Sequence, residues 1–436
     1  MSALTETQRV VIVDPGHNSA SGHHTELNAQ LLATGRAAGL AIECWVDQGF
    51  RSSDPAYRPV LRDCGYVDPR HWLDQPGSLH LANRLKTQLQ AELDSSAAGT
   101  VTCWITHSLL PFQLIGLAKL LLHQPAARVE VGILYGPGER LGGSTNPAAV
   151  NPGPEREREL AIANARLAWS GLAQAAASAG HQLRIGCSSH LQAALHEPLL
   201  RAAGLPAASL QPAVVGAGWQ PGSALTASGC ALSNDDAPMV LLHWGDLKAE
   251  KGRQQVMALL IALLEEHAQA GSSSTADEAP ARRWLFHHCS DTALPPNEQQ
   301  LLARAEQELP GFQIWQGPTS TEVMHQLLAC TDVAFLPYSP QAYAERSSGV
   351  LWCYGAARLA CGQPARAVGY ASGWLAEEAQ ALGMGWQGVA AISAHPPQTW
   401  LAAINAALRA PATPFSTYGQ QVLGQSYAQW LLAALN

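Results

Sequence analysis

The chain has 436 residues, beyond the ~250–300 at which a single hydrophobic core usually stops growing, so two domains are expected. Hydrophobic residues make up 47% and charged residues 14%, which excludes disorder as a description of the whole chain. Residues 1–215 hold 16 Lys/Arg against 17 Asp/Glu, and residues 216–436 hold 10 against 17, so neither half carries the basic footprint of a nucleic-acid binder or of strong attraction to anionic lipid.

The apolar run Val10–Val13 reads as a buried strand. A Gly/Ser/His loop, Asp14 to His24, follows it, then a helical pattern from Glu26 to about Leu40 and a second strand at Ala41–Val46. Strand, loop, helix, strand is the opening of a parallel α/β sheet. Further along, Val101–Thr106 is a strand ending at His107, residues 109–122 form an amphipathic helix, and Val129–Leu134 is another strand. Gly136–Gly153 is rich in Gly, Pro and Asn and must be a loop. The charge run Glu155-Arg156-Glu157-Arg158-Glu159 begins a long Ala-rich helix and is best taken as a solvated face.

Between Val215 and Asp236 no period is sustained, which places an interdomain linker at 216–238. The rhythm then restarts with a strand at Met239–Trp244, a loop at Gly245–Gly252 and a helix at Arg253–His267. Ala268–Pro280 has the composition of a surface insertion. Strands are expected at Trp284–His288, Phe312–Trp315, Val333–Pro337 and Ala365–Val368, with helices from about Ser320 and at Gly349–Ala360. Two such series predict two Rossmann-like, doubly wound α/β domains facing across a cleft: residues 1–215, and residues 239–415 after the linker.

Two segments of the second half have the residue types that bind phosphate. Gly245-Asp246-Leu247-Lys248-Ala249-Glu250-Lys251-Gly252 lies between a strand and a helix, and its two lysines can neutralise a diphosphate. Glu345-Arg346-Ser347-Ser348-Gly349 opens a helix whose serines are good N-cap residues and whose first N–H groups point at an anion. In order and spacing, these segments resemble the retaining GT-B glycosyltransferases of the family 4 type. GDLKAEKG resembles their G-x-x-R-x-x-K-G element, with Lys248 at the arginine position and Lys251 at the lysine position. TDVAFLPYSP, ERSSGVL and CGQPARAVGYASGWLAEE resemble the elements that follow it. The resemblance covers roughly residues 239–385, and more weakly the first half, where Asp14-Pro15 and Ser21-Gly22-His23-His24 are similar to the family's glycine-rich first loop.

The resemblance implies a GT-B fold and transfer of a sugar from a nucleotide-sugar donor with retention and no obligatory metal. It implies donor contacts at Gly22, His23, Gly245, Lys248, Lys251, Arg346, Ser347, Ser348 and Gly349. His107 and Glu345 take the catalytic positions, and residues 416–436 form a last helix crossing back onto the first domain. The acceptor is left open among a sugar, a lipid-linked group and a small molecule. Two departures stand out: Lys248 loses the bidentate fork of arginine, and the family's second cradle glutamate falls at Ala357, or near Cys353 or Tyr354, none of which is acidic.

Two other readings compete. A non-catalytic nucleotide- or sugar-binding protein on the same fold accommodates the absent glutamate. Asp14-Pro15-Gly16-His17 also resembles the first zinc-ligand motif of cell-wall amidases, with His17 and Glu26 as ligands and His80 or His107 as a third. The start, MSALTETQRV, has no apolar signal-peptide core. The run Leu109 to Leu122 is shorter than the ~20 residues a bilayer requires. Nine scattered cysteines without a CxxC pair suggest reduced thiols. Together these features predict a cytoplasmic protein with at most peripheral membrane contact and no nucleic-acid partner.

Overall fold

The structure, a computed structural model, describes residues 9–19, 23–96, 99–139, 154–214, 237–270, 282–289, 294–391 and 396–433. It divides into two compact units, Met1–Ala217 with Tyr427–Asn436, and Gly218–Ser426.

In the first unit the elements run β1 Arg9–Asp14, α1 His23–Ala37, β2 Ala41–Asp47, β3 Tyr57–Leu61, α2 Gln75–Ser95, β4 Val101–Thr106, α3 Pro111–Leu121, β5 Arg128–Ile133, α4 Pro154–Ala179, β6 Gln182–Cys187, α5 His190–Ala202 and β7 Ser209–Leu210. The seven strands form one sheet in the order β3-β2-β1-β4-β5-β6-β7, with every pairing parallel. Every residue of β1 is buried because helices cover both faces of such a sheet, which explains its unbroken apolar run.

The helix expected to be amphipathic at 109–122 is α3, and this expectation is corrected. Phe112, Leu114, Ile115, Leu117, Ala118, Leu120 and Leu121 are all buried, and α3 packs against both α2 and α4. A helix apolar on nearly every side belongs inside, not on a surface. Pro111 occupies its first turn, and the Gln113 side chain reaches back to accept from the Leu110 N–H at 2.7 Å. The charge run at the start of α4 is largely exposed.

The second unit runs β8 Met239–His243, α6 Arg253–Ala270, β9 Arg283–His288, α7 Pro296–Glu308, β10 Phe312–Gln316, α8 Thr321–Ala329, β11 Val333–Leu336, α9 Gly349–Ala360, β12 Arg366–Tyr370, α10 Trp374–Leu382, β13 Gly385–Val389, α11 Pro397–Arg409 and α12 Thr417–Leu423. Its six strands are ordered β10-β9-β8-β11-β12-β13, again all parallel. One apolar cluster includes Val240, Leu242, Phe286, Phe335 and Trp400, while the alternate strand residues Leu241, Leu285 and Ala334 are buried outside it.

The final segment is two helices rather than one. The first, α12, packs on α9 and α10 of the second unit. The second, α13 at Tyr427–Ala433, packs on α1 of the first unit. Trp430 of α13 lies under the Arg184 guanidinium of β6 at 4.3 Å. Most of the linker and of the Ala268–Pro280 segment, and the loop from residue 140 to 153, lie outside the described residues.

Seven of the described cysteines are free thiols, but Cys330 is disulfide-bonded, contrary to the expectation of nine reduced thiols. Pairing is set by approach in space, and sequence spacing carries no sign of it. No described helix is long and apolar enough to cross a membrane.

Both sheets have the same order of connection. The chain first builds outward from a central strand, then returns and builds in the other direction. The reversal lies between β1 and β4 in one sheet and between β8 and β11 in the other. At such a switch point the loops leave in opposite directions and a crevice opens at the carboxyl edge.

The burial of α3 is open to test. Phe112→Ala should destabilise the first unit by roughly 3–5 kcal/mol through lost packing and a residual cavity, read as a lower denaturant midpoint by tryptophan fluorescence. An unchanged midpoint would contradict a buried α3.

Candidate active site

At the switch point of the first unit, β1 ends in Asp14 and β4 is followed by His107, and both side chains are buried. The first turn of α1 supplies His24 and, one turn later on the same face, Asn28. Asp14 Oδ2 is 2.9 Å from His24 Nδ1, 2.6 Å from Asn28 Nδ2 and 3.4 Å from His107 Nε2. Asn28 Oδ1 lies 3.0 Å from His107 Nε2, and Asn28 Nδ2 lies 3.0 Å from His17 Nδ1. His24 Nε2 meets the Tyr66 hydroxyl at 2.6 Å, and Tyr66 meets the Tyr135 hydroxyl at 3.3 Å. A Cβ on Gly16 would come within 2.6 Å of the His24 ring and 3.1 Å of Tyr66, so the loop requires glycine there.

The electrostatics follow from burial. Burial alone would raise the Asp14 carboxyl, but the neighbouring His24 and His107, with hydrogen bonds from His24 and Asn28, outweigh it and hold the group well below the usual carboxylate range. Burial pushes His17 and His107 down to about 4, against the pull of Asp14. One anion with His17 and His107 neutral is the resulting state near neutrality.

Among the described residues, Asp14, His24 and His107 are the one group of three such side chains with ligand-type atoms within 4.8 Å of one another. The amidase-type set is not assembled: His17 is engaged by Asn28 and by Thr25 Oγ1 at 3.0 Å, and its ring packs 3.9 Å from Phe50.

In the second unit, β8 is followed by the Gly245–Gly252 loop and β11 by the segment that leads into α9. Gly245 has φ +91 and is held from two sides. Its N–H donates to His287 Nδ1 at 3.1 Å, and its carbonyl accepts from the Cys289 N–H at 3.1 Å. His287 in turn donates from Nε2 to the Gly317 carbonyl at 3.0 Å and stacks on Trp244 at 4.1 Å. At the other end, Gly252 has φ +79, and a Cβ there would come within 2.4 Å of the Pro337 carbonyl oxygen. The Ser339 N–H donates to the Glu250 carbonyl at 2.9 Å, which joins the loop to the end of β11.

This joining gathers the cations. Lys248 pairs with Asp246 at 3.1 Å, and Arg346 Nη1 lies 3.8 Å from Glu250. Burial draws the Lys251 ammonium below the ordinary lysine range; Asp246 and Glu250 oppose the shift, while Lys248 and Arg346 add to it. Ser348 caps α9, its hydroxyl accepting from the Leu351 N–H at 3.3 Å. The N–H groups of Gly349 and Val350, in the first turn, have no acceptor within the helix. Nothing lies within 4 Å of a Cβ built on Gly349, so packing within the protein does not demand glycine there.

Of the residues singled out from sequence, Gly245, Lys248, Lys251, Arg346, Ser347, Ser348 and Gly349 therefore share one switch point, with buried Glu345 beside them. His107 is at the other switch point, in a different unit. Gly22 lies outside the described residues and His23 opens α1. Asn28, Tyr66 and His287 escaped the sequence reading. The spacing of His24 and Asn28, one helical turn apart beside the buried Leu27 and Leu31, was the available signal for the first of these.

No protein-family model matches the sequence, and no curated protein matches it either. Solved structures do share its fold. The N-terminal domain of trehalose-6-phosphate phosphatase from Candida albicans is similar at 12% identity over 100% of this chain and 97% of that one, with a TM-score of 0.58. An α,α-trehalose-phosphate synthase (UDP-forming) from Burkholderia xenovorans, solved with glucose-6-phosphate, is similar at 12% identity over 98% and 99%, with a TM-score of 0.55. A synthase from Burkholderia multivorans is similar at 13% identity over 98% and 95%, with a TM-score of 0.54. At these identities the likeness establishes the fold, which is of the GT-B kind.

The buried imidazoles give a stability prediction with a definite sign. In the unfolded chain a histidine titrates near 6.5, whereas His17 and His107 titrate at about 4 in the fold. Between those values the unfolded state binds more protons, so stability falls as pH drops, by up to roughly 3 kcal/mol per imidazole. The depressed Asp14 acts in the same direction, only below the unfolded carboxylate value near 4. Urea midpoints measured from neutral pH toward about pH 4.5 should decline steadily, and a flat profile would mean these rings are not held neutral.

Proposed function

We propose that the chain transfers a sugar from a nucleotide-diphosphate sugar to a hydroxyl-bearing acceptor, keeping the anomeric configuration. The observation that carries this reading is the convergence of Lys248, Lys251 and Arg346 with the N-terminus of α9 at the second unit's switch point. Fixed cations and helix N–H groups in one place fit a diphosphate. The open space over Gly349 suits close approach of a phosphoryl oxygen to the backbone.

In the proposed reaction the bond from the anomeric carbon to the phosphate oxygen breaks, and its electron pair leaves on the phosphate. The acceptor oxygen bonds to the same face of that carbon and passes its proton to the departing phosphate oxygen. Lys248, Lys251 and the α9 N–H groups stabilise the charge that grows as the bond opens, which favours the transition state over the ground state. Glu345 supplies a carboxylate near the sugar, while His107 and the loop bearing Gly22 and His23 position or polarise it. On this reading the protein's own cations neutralise the diphosphate and no metal is obligatory. The acceptor class is a sugar, a lipid-linked group or a small molecule.

A second reading, a non-catalytic binder of nucleotide or sugar, is favoured by one observation. The positions where the related pattern places its second glutamate, Cys353, Tyr354 and Ala357, are buried in the core of α9. Nucleotide release from donors, with and without candidate acceptors, separates the two.

Lys251→Ala should lower kcat/KM by about 100- to 1,000-fold while the thermal unfolding curve stays in place. Unchanged turnover would remove the phosphate assignment. The product's anomeric configuration, read by NMR on the donor found in a thermal-shift screen of nucleotide sugars, should match the donor's. Addition of a strong chelator should leave the rate where it was.

A further inference from the structure

We infer that Asn28 is a positioning residue whose amide locks His107 as the tautomer protonated on Nε2, leaving Nδ1 a bare acceptor for a hydroxyl of the transferred sugar. The sugar half of this inference rests on the proposed function; the lock stands on geometry alone.

The assignment begins at Asp14, an ionised carboxylate that can only accept. The Asn28 atom 2.6 Å from its Oδ2 must therefore be the amide nitrogen, because an amide oxygen there would repel. That fixes an orientation which side-chain amides ordinarily leave ambiguous. The Asn28 oxygen then faces His107 Nε2 at 3.0 Å and can only accept, so the proton is on Nε2. In a neutral imidazole the other nitrogen is left with a lone pair, and His107 Nδ1 is buried with no partner among the described residues.

The remaining groups close in the same sense. The second N–H of Asn28 points to His17 Nδ1 at 3.0 Å, so His17 carries its proton on Nε2 and donates it to Thr25 Oγ1 at 3.0 Å. The Thr25 hydroxyl passes its own proton to the Ser19 carbonyl at 2.8 Å. His24 donates from Nδ1 to Asp14, and its Nε2 lies 2.6 Å from the Tyr66 hydroxyl. Around His107 the charged and titratable groups are thus Asp14 of β1, His17 of the following loop, His24 of α1 and Tyr427 of α13. The Tyr427 hydroxyl and the His107 Cα both lie close to Gly132, 3.0 and 3.1 Å from a Cβ built there.

A hydroxyl donor from a ligand would satisfy the acceptor that His107 leaves bare. A metal on His107 Nε2 would instead set a deprotonated nitrogen against the Asn28 oxygen with no proton between them.

The test uses the full chain labelled with nitrogen-15 at histidine, with ring correlation spectra assigned through loss of the His107 signals in His107→Gln. His107 should carry its proton on Nε2 alone from about pH 5.5 to about pH 8. Asn28→Ala should yield a mixture of tautomers. Asn28→Asp, which sets a second carboxylate beside the ring, should raise the His107 midpoint by about one pH unit or more. Thr25→Val, cutting only the far end of the chain, should disturb His17 and leave His107 as it was.

A wild-type proton on Nδ1, an unchanged tautomer in Asn28→Ala, or a stoichiometric divalent metal with the Nε2–H signal missing would each overturn the lock. Should Asn28→Ala fail to fold, the wild-type spectrum and Asn28→Asp decide the question. With donor in hand, Asn28→Ala should lower kcat roughly tenfold or more with the donor KM near wild type. A lock that holds while kcat stays unmoved overturns the sugar contact alone. Loss of transfer in every variant tested, wild type included, would count against the proposed function instead.

Discussion

A parallel sheet whose connections reverse direction once must open a crevice at its carboxyl edge, and this constraint places every functional group described above. Between β1 and β4, and again between β8 and β11, neighbouring strands hand their chains to loops that turn opposite ways. The two sheets share no internal sequence repeat, yet both bring their unusual polar residues to the same topological position. Asp14 and His107 end the strands that flank one reversal; Gly245–Gly252 and Glu345–Gly349 follow the strands that flank the other.

The two crevices differ in charge, and the difference is chemical. In the first unit a single carboxylate lies beside His17 and His107, which burial keeps neutral, together with His24, an amide and two phenols. In the second unit Lys248, Lys251 and Arg346 stand with Asp246, Glu250 and buried Glu345, so the formal charges balance and the peptide dipoles of α9 supply the positive end.

The fold was legible because apolar runs such as Val10–Val13 and Met239–Trp244 are short, continuous and followed by glycine or turn residues. The place of the Gly245–Gly252 loop between a strand and a helix was legible from its glycines, but its two lysines alone fit an ordinary polar surface, and only the resemblance of the elements that follow singled them out. What escaped was everything whose meaning depends on a partner distant in the chain. Asn28 looks like a polar helix residue until Asp14 and His107 are seen on either side of it. His287 looks like a strand residue until Gly245 donates to it across the sheet. The helix at 109–122 was misjudged because Gln113 and Lys119 resemble a polar face. Gln113 is in fact buried, spending its amide on the Cys64 carbonyl and the Leu110 N–H.

The absent second glutamate is settled in physical terms by α9. Tyr354 occupies one of the candidate positions, with its hydroxyl donating to the Arg366 carbonyl at 2.9 Å and accepting from the Arg366 N–H at 3.1 Å. Ala357 and Cys353 are packed into the same interior. A carboxylate at any of the three would be desolvated, a cost of several kcal/mol, and at Tyr354, among the described residues, only Arg358 of the same helix and Arg366 lie near enough to oppose it. Tyr354 instead ties α9 to the residue before β11 and to the start of β12. On the proposed reading, donor selection rests with the phosphate side, where Lys248, Lys251 and Arg346 supply charge without reading the nucleoside.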